Sequence, residues 1–266
     1  MSILYIIFSS FIQSLTEFLP ISSSGHLLLW HELILSPVND FQLDIVLHLG
    51  SVLAVIVYFS RDIATITTAL WRRVRWGEVS ASSRLGLWVV VSTLPAAVIG
   101  FILADVIENF FRAPQWVALM LVLVGLLFIY IEKKIQAVEP LENMTWRQAL
   151  LIGFGQCLAF IPGTSRSGIT LSTAMMVGIN RAEAARYSFW LAVPTLLGAS
   201  AKGIIDMMAQ GLNKNAAGLY IIGGLVAFFC SWLVIKYFIQ YLQRHSLVPF
   251  AVYRIALAVI VIIILL

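Results

Sequence analysis

Two polar interruptions in an otherwise apolar chain decide the fold. The first runs from Gln13 to Gly25 (QSLTEFLPISSSG) and the second from Gln156 to Gly168 (QCLAFIPGTSRSG). Each begins at glutamine, contains a proline and ends in Ser-Gly twelve positions later. Proline and Ser/Gly clusters break helices, and in an apolar environment the freed backbone groups are tolerated only inside protein or beside a wet cavity. Both stretches are therefore predicted to be loops enclosed by protein.

The sequence around these loops has the composition of a membrane protein. Of its 266 residues, 61% are hydrophobic and 11% are charged, with a mean hydropathy of +0.95. Six apolar blocks are each long enough to cross a bilayer as a helix. Three carry no charge: Leu85–Ala104, Ala113–Ile131 and Asn215–Ile235. Three carry a charge near one end: Phe41–Phe59, Ala184–Ala201 and Leu247–Leu266. The expected fold is an all-α integral membrane protein with about six transmembrane helices.

Two further apolar regions, Ser2–Trp30 and Gln148–Asn180, each hold one of the loops near the middle. We predict that both are re-entrant helix pairs with the loop at the tip. Their matching patterns indicate a duplication within a single membrane domain spanning residues 1–266, with pseudo-repeats over about residues 1–132 and 148–266. The two halves are expected to enter from opposite faces, as an inverted repeat whose broken helices meet at a binding site near the midplane.

Basic residues give the predicted orientation. If the first pair opens to the outside and the second to the inside, twelve of the seventeen Lys and Arg residues face the cytoplasm, as the positive-inside rule requires. These are Arg61, Arg72, Arg73, Arg75, Arg84, Lys133, Lys134, Arg147, Arg181, Arg186, Lys236 and Arg244. Arg112, Lys202 and Lys214 fall in outer loops. The net charge of +4 thus reflects orientation, and no basic, aromatic-rich patch indicates a nucleic-acid partner.

Glu17 is the only carboxylate in the first 31 residues. It lies one helical turn after Gln13, so that both side chains share a face. An ionisable group in an apolar segment is costly and marks a candidate functional site. The alternative is a carboxylate that merely lies near the membrane surface.

The loops supply groups that bind or attack phosphate. The run Ser22–His26 offers hydroxyls, backbone N–H groups and an imidazole. Arg166 is the only charge between Gln148 and Asn180, and its planar fork matches phosphate oxygens bidentately, with helix N-termini adding partial positive charge. The alternatives are serines bonded to their own backbone and an arginine bonded to carbonyls or to Glu17.

Other polar residues in the apolar runs carry weaker signals. Asp44 and His48 lie one turn apart and are interpreted as a locally paired couple, with contact to the cavity as the alternative. Cys157 and Cys230 lie in apolar runs and are expected to be packing residues, outside any disulfide or metal site.

These motifs together resemble the undecaprenyl pyrophosphate phosphatase family of the bacitracin-resistance type. The resemblance rests on Gln13–Glu17, Leu19–His26 and Pro162–Gly168 with Thr170, and it extends to Val248–Arg254. It implies removal of the terminal phosphate of undecaprenyl pyrophosphate in the bacterial plasma (inner) membrane, which recycles the lipid carrier for peptidoglycan synthesis, supports cell shape and confers bacitracin resistance. It also implies a divalent metal, magnesium or calcium.

The family's first motif is Glu or Gln, three residues, then Glu. Here Gln13 takes the first position, so any scheme that needs two carboxylates at this turn is in doubt. A metal would be held by Glu17, the Gln13 carbonyl oxygen, water and the substrate's phosphates.

With this resemblance we assign Glu17 and Gln13 to metal or water positioning and Arg166 to charge neutralisation on the transferred phosphoryl group. Ser23 is the favoured attacking group, with His26 as a nearby base or acid; direct attack by His26 or by metal-bound water stays open. The other loop residues are predicted to bind substrate: Ser22, Ser24, Gly25, Gly163, Thr164, Ser165, Ser167, Gly168 and Thr170.

Two other classes compete with this interpretation. A type 2 phosphatidic acid phosphatase also uses Ser-Gly-His and Ser-Arg motifs, but this chain lacks that family's Lys-to-Arg-Pro motif and has no histidine in the helix after Arg166. A polyprenyl-phosphate transporter or flippase would bind the headgroup without hydrolysis, because inverted re-entrant repeats are a transporter plan. Phosphate release separates these classes. A homodimer and the prenyl chain length stay open.

Overall fold

The computed structural model describes residues 3–33, 41–111, 113–211 and 216–265. Ser2, Arg112, Lys214, Asn215 and Leu266, which the sequence predictions include, lie outside these residues. Within them the chain forms helices, with a single β-bridge between Glu139 and Ile179. The α-helices are α1 (Ile3–Phe18), α2 (Ser23–Leu33), α3 (Phe41–Tyr58), α4 (Ser60–Trp76), α5 (Ala81–Phe110), α6 (Pro114–Lys134), α7 (Trp146–Cys157), α8 (Arg166–Met176), α9 (Arg181–Gln210), α10 (Ala217–Leu242) and α11 (Val248–Leu265).

Six of the helices, α3, α5, α6, α9, α10 and α11, coincide with the six predicted spans and are long and apolar enough to cross a membrane. Large apolar side chains lie exposed along them, for example Phe101 at 94% and Ile263 at 75%. In lipid such surface needs no cover, whereas a water-soluble monomer rarely exposes it in continuous patches. The prediction of an all-α, multi-pass membrane protein is confirmed.

Small residues let the helices approach closely, as is usual in membranes. A Cβ atom on Gly50 of α3 would lie 2.4 Å from the carbonyl oxygen of Gly224 in α10. A Cβ atom on Gly153 of α7 would lie 2.6 Å from the carbonyl oxygen of Ser92 in α5. Any larger residue at these two positions would push the helices apart.

The shorter helices form two pairs around the predicted loops. Helices α1 and α2 have 16 and 11 residues, and α7 and α8 have 12 and 11. Each is shorter than the roughly 20 residues that span a bilayer. Residues 19–22, here called the first loop, join α1 to α2, and residues 158–165, the second loop, join α7 to α8. The helix breaks lie where they were predicted; re-entry from opposite faces and the duplication stay predictions.

Helix α4 is absent from the sequence-based prediction, which treats this basic stretch as a loop. Only Phe59 separates it from α3. Its apolar residues recur at helical spacing, and Ile66 and Leu70 pack on Gly86 of α5, where a Cβ atom would lie 2.6 Å from the Leu70 side chain. Its other faces carry arginine and threonine, so α4 is an amphipathic helix.

Ion pairs and capping bonds join the charged ends of several helices. Arg186 of α9 donates to both carboxylate oxygens of Asp62 in α4, at 2.9 and 2.6 Å. Arg181 binds Glu132 of α6 and the carbonyl oxygen of His245. Arg181 and Arg186, which the orientation prediction places in the cytoplasm, thus each bind a carboxylate from another helix.

Candidate active site

The two loops end in the same backbone conformation. Ser22 and Ser165 have φ angles of 74° and 71°, in the left-handed region that residues other than glycine rarely occupy. Each serine precedes a helix and caps it: the Ser22 Oγ accepts from the N–H of Gly25 at 3.3 Å, and the Ser165 Oγ accepts from the N–H of Gly168 at 3.2 Å. Strained serines of this kind cluster at functional sites.

Hydrogen bonds tie the loops to each other. The Ser24 Oγ accepts from the N–H of Gly163 at 2.9 Å, and the Ser167 Oγ donates to the carbonyl oxygen of Leu19 at 3.3 Å. Gly163 has a φ of 93°, and a Cβ atom there would lie 2.5 Å from the carbonyl oxygen of Val117. Only glycine fits this turn against α6. The N-termini of α2 and α8 are thereby brought to one place, where their partial positive charge favours an anion.

Arg254 of α11 lies beneath both loops and is fully buried. Its guanidinium donates to the carbonyl oxygens of Pro20 in the first loop, at 3.2 Å, and of Gly163 and Thr164 in the second, at 2.8 and 3.1 Å. Two further bonds reach carbonyl oxygens of α6. Among the described residues it has no carboxylate partner. Arg254 therefore holds the loop backbones in register. The sequence signal was a lone arginine in the last apolar block, to which no role was assigned.

Replacing Arg254 by methionine keeps much of the side-chain volume but removes every donor beneath the loops. Buried carbonyls that lose their partners cost about 1–3 kcal/mol each. We expect Arg254→Met to lower the melting temperature in detergent and to lower phosphatase activity with it. Arg244→Met, at an exposed arginine at the end of α10, serves as the control and should melt like the wild type. A wild-type melting temperature and activity in Arg254→Met would contradict the role given to Arg254.

Between the loops lies a pocket of about 300 Å³. Its polar lining consists of Glu17, Ser23, Ser24, Ser165 and Arg166, and its apolar lining of Ala159, Phe160 and Pro162. Five residues predicted for the site from sequence therefore share one cavity. Polar groups that converge beside an apolar wall suit a ligand with a charged head and a hydrocarbon tail.

The single carboxylate and the single arginine of the pocket bind each other. The Arg166 Nη2 donates to the Glu17 Oε1 at 3.0 Å, and the two side chains are 10% and 7% exposed. The Arg166 Nη1 donates to the carbonyl oxygen of Ser188 at 3.3 Å. The alternative of an arginine bonded to Glu17 is thus what this structure shows. An anion that enters the pocket would compete with Glu17 for the guanidinium.

The second oxygen of Glu17 faces three polar side chains. The Ser23 Oγ donates to it at 3.4 Å and the Gln13 Nε2 at 3.2 Å, while the His48 Nε2 lies 3.8 Å away. His48 is a site residue that the sequence analysis did not assign. Its Nδ1 donates to the carbonyl oxygen of Asp44 at 2.8 Å, and its Nε2 lies 3.1 Å from the Gln13 Nε2. It is both locally bonded and in contact with the site.

His26 lies outside the pocket lining. Its Nδ1 donates to the carbonyl oxygen of Ser22 at 2.7 Å, and its Nε2 accepts from the hydroxyl of Tyr253, also at 2.7 Å, with the two rings stacked. Both ring nitrogens are thus engaged away from Ser23. The group that faces the Ser23 hydroxyl is the Glu17 carboxylate.

Several residues predicted to touch substrate make contacts that support the loops, and their contact with substrate stays a prediction. Thr164 and Thr170 are fully buried. Thr170 donates to the carbonyl oxygen of Arg166 at 2.8 Å and is bonded to the Ser188 hydroxyl. Gly25 and Gly168 lie against the α6 side chains that include Leu121 and Phe128. Ser22, Gly163 and Ser167 are taken up by the capping and cross-loop bonds described above.

The donor set fits a divalent metal. Gln13 is 1% exposed, and its Oε1 is buried with no hydrogen-bond partner among the described residues. A carboxylate oxygen and an imidazole nitrogen lie next to the same amide. The part of the chain that the structure describes contains no cluster of three or more His, Cys, Asp or Glu side chains suited to a metal. A cation here would therefore need the Gln13 amide oxygen beside the Glu17 carboxylate and the neighbouring imidazole, with substrate phosphates completing its coordination during the reaction.

Comparison with known proteins identifies the family. The model of the family described as bacitracin resistance protein BacA matches residues 6–260. The chain is 41% identical over 260 residues to a protein of Chromohalobacter salexigens named undecaprenyl-diphosphatase, with 98% of each chain covered. It is 38% identical over 257 residues to the protein of that name from Alteromonas mediterranea, covering 97% of this chain and 96% of the other. Undecaprenyl-diphosphatase 1 of Pseudoalteromonas translucida is 34% identical over 261 residues, with 97% of each covered. The resemblance inferred from the two loops is confirmed, and the chain belongs to the bacitracin resistance protein BacA family.

Proposed function

We propose that this protein hydrolyses undecaprenyl pyrophosphate to undecaprenyl phosphate and inorganic phosphate. The observation that carries the proposal is the pocket in which Arg166, Ser23 and Glu17 meet at two helix N-termini. An arginine, a hydroxyl beside a carboxylate and exposed backbone N–H groups are what phosphoryl transfer requires. The three relatives named undecaprenyl-diphosphatase align over nearly the whole chain and support the same activity.

In the proposed reaction the Ser23 Oγ attacks the terminal phosphorus. The bond from that phosphorus to the bridging oxygen breaks, undecaprenyl phosphate leaves, and the serine proton passes to the Glu17 carboxylate. Water then attacks the phosphoserine: Glu17 returns its proton to the Ser23 Oγ as the bond to phosphorus breaks, and inorganic phosphate leaves with the oxygen and both protons of the water. Arg166 leaves Glu17 to bind the phosphoryl oxygens as charge develops on them. A divalent metal, magnesium or calcium, held by Glu17 and Gln13 would neutralise part of the pyrophosphate charge.

Variants of Ser23 and its neighbour Ser24 distinguish loss of the attacking hydroxyl from loss of a structural hydrogen bond. Ser23→Ala removes the hydroxyl beside Glu17 and should lower kcat by about a hundredfold or more, because the nucleophile is lost. Ser24→Ala removes the bonds of the Ser24 hydroxyl to Gly163 and Ser22 but leaves the Ser23 hydroxyl in place, and should cost far less. The measurement is phosphate release by both purified variants at saturating substrate. A Ser23→Ala enzyme that works at the wild-type rate would show that Ser23 is not the nucleophile and would favour direct attack by water.

Recycling of the lipid carrier would take place in the bacterial plasma membrane, which we propose as the location of this multi-pass protein. Its role there would be to return undecaprenyl phosphate to peptidoglycan synthesis, on which cell shape depends. The family to which the chain belongs is described by bacitracin resistance, so the proposed activity should protect the cell against this drug. Raised expression of the wild-type chain, beside Arg166→Ala, tests this through bacitracin susceptibility.

The matching geometry of the two loops keeps a carrier of polyprenyl phosphate as the second candidate, because paired broken helices also occur in transporters. The test is analysis of the lipid after incubation with the purified protein in proteoliposomes. Conversion of pyrophosphate lipid to monophosphate supports hydrolysis. Movement of intact pyrophosphate lipid between leaflets, without conversion, would support the carrier.

A further inference from the structure

His48, on α3, lies beside Gln13 and Glu17 but is not among the side chains that line the pocket. Its Nε2 lies 3.1 Å from the Gln13 amide nitrogen and 3.8 Å from the Glu17 Oε2. The Gln13 amide nitrogen lies 3.2 Å from the same Glu17 oxygen. Imidazole, amide and carboxylate thus form a compact trio, here called the Gln13–Glu17–His48 cluster.

The hydrogen bonds within this cluster do not balance. The His48 Nδ1 donates to the Asp44 carbonyl oxygen, so that the Nε2 of the neutral ring offers a lone pair. If the Gln13 nitrogen donates to His48 and Glu17, its oxygen remains buried without a donor, as observed. If the amide is turned round, three lone pairs face one another. Which of the two amide atoms points inward is fixed only by such a network. With the nitrogen inward, the buried amide oxygen has no donor; with the oxygen inward, three lone pairs need one positive group.

The remaining neighbours do not supply that group. Arg166 is committed to the other Glu17 oxygen and to the Ser188 carbonyl oxygen. The Ser23 hydroxyl already donates to the Glu17 Oε2. A cation coordinated by the carboxylate oxygen, the amide oxygen and the imidazole nitrogen would satisfy all three members together.

We propose that His48 is a ligand of the divalent cation at Gln13 and Glu17, and that it binds through Nε2. The inference rests on the metal-assisted hydrolysis proposed above. Histidines that ligate a metal usually donate their other ring N–H to a carbonyl or carboxylate oxygen, and the His48 Nδ1 does so to Asp44. In this chain the imidazole occupies the coordination role that a second carboxylate would otherwise fill beside Glu17.

A nitrogen ligand changes the order of metal preference. Calcium and magnesium favour all-oxygen sites, whereas imidazole nitrogen is a ligand of first-row transition metals, of which manganese is the one that also suits an oxygen-rich site. The Gln13–Glu17–His48 cluster should therefore bind manganese more tightly than calcium, and His48 should be the reason.

The experiment is titration of the purified full chain in detergent with Mn²⁺, followed by electron paramagnetic resonance of the free ion, without lipid substrate. The wild type should bind manganese, and His48→Ala should weaken binding by about tenfold or more. His48→Gln, which keeps a polar side chain and guards against misfolding, should weaken it as well. His245→Ala, at an exposed histidine stacked on Tyr241, should leave the affinity unchanged. Calcium should displace manganese more readily from both His48 variants than from the wild type.

Phosphate release measured in parallel separates this inference from the proposed function. Unchanged manganese affinity in folded His48→Ala or His48→Gln, or no manganese binding by the wild type, overturns the ligand role. If phosphate release persists in that case, the phosphatase stands without it. Binding that depends on His48 in a protein that releases no phosphate would uphold the metal site and overturn the phosphatase.

Discussion

Arg166→Lys lowers kcat/KM for undecaprenyl pyrophosphate by about a hundredfold or more. Losing one well-placed donor to a developing oxyanion costs about this much in other enzymes. The wild-type guanidinium bonds Glu17 and the Ser188 carbonyl oxygen from two separate nitrogens, which orients its fork across the pocket. A lysine ammonium is a single point charge and cannot hold two phosphate oxygens in that geometry while keeping a backbone anchor. Steady-state phosphate release against lipid concentration measures the effect.

Arg186→Lys is the matched control for this prediction. Arg186 likewise donates from two nitrogens, here bidentately to the Asp62 carboxylate, but at the partly exposed N-terminal end of α9 and outside the pocket lining. Because exposed ion pairs contribute little, this variant should turn over like the wild type. Retained activity in Arg166→Lys would mean that Arg166 acts as a simple counter-ion, and the bidentate role would be wrong.

Glu17→Gln should lower kcat for undecaprenyl pyrophosphate without raising KM. The amide keeps the shape of the side chain but cannot take the Ser23 proton or bind a cation as a carboxylate does, so kcat should fall by about a hundredfold or more. Arg166 then loses its charged partner in a largely buried place. Since it no longer has to leave a carboxylate, it should bind the pyrophosphate headgroup at least as well as before, and KM should stay level or fall.

The same change should lower stability, because a buried arginine left without its partner costs about 3–5 kcal/mol. Added inorganic pyrophosphate, which can replace the lost carboxylate, should restore part of the melting temperature in detergent. A Glu17→Gln protein with normal kcat would remove Glu17 from the chemistry. A raised KM with normal kcat would make Glu17 a substrate-binding group.

The long helices could be read from the sequence because an apolar block must become a helix to satisfy its backbone in lipid. Block Ala184–Ala201 lies within α9, which runs from Arg181 to Gln210; the Asn180 side chain caps it by accepting from the N–H of Glu183. Helix α4 escaped prediction because its apolar side is short and its arginines suggested an exposed loop. Its spacing of Ile63, Ile66 and Leu70 was the available signal.

The site was predictable where its residues lie in the loops and not where they come from distant helices. Glu17, Ser23 and Arg166 share the pocket. They could be predicted because they flank the two polar interruptions, which stand out in an apolar sequence. Arg254 bonds Thr164, 90 residues away, and His48 lies against Gln13, 35 residues away. A single polar residue in an apolar helix does not indicate which distant residue it will contact. The positive φ of Ser22, which sets the N-terminus of α2, is likewise invisible in a serine-rich run.

His26 shows the opposite case, a residue whose type suggested chemistry but whose ring is bonded away from Ser23 in this structure; its catalytic role stays a prediction. Spacing placed it three residues after Ser23 and hence close to it. Within α2 its ring turns instead towards Tyr253 of α11, which occupies the Nε2. The proposed proton acceptor is therefore Glu17, and Tyr253→Phe, which would free the His26 ring, should leave kcat little changed.

The measurement that tests the central claim most directly is inorganic phosphate release from undecaprenyl pyrophosphate by the purified wild type in detergent. It is made with added divalent metal and with chelator, beside Glu17→Gln and Arg166→Lys. The account predicts one phosphate released per lipid, dependent on metal and lost in both variants. Release that is equal in the variants, or none from a folded wild type that binds the lipid, would contradict hydrolysis at the pocket between the two loops.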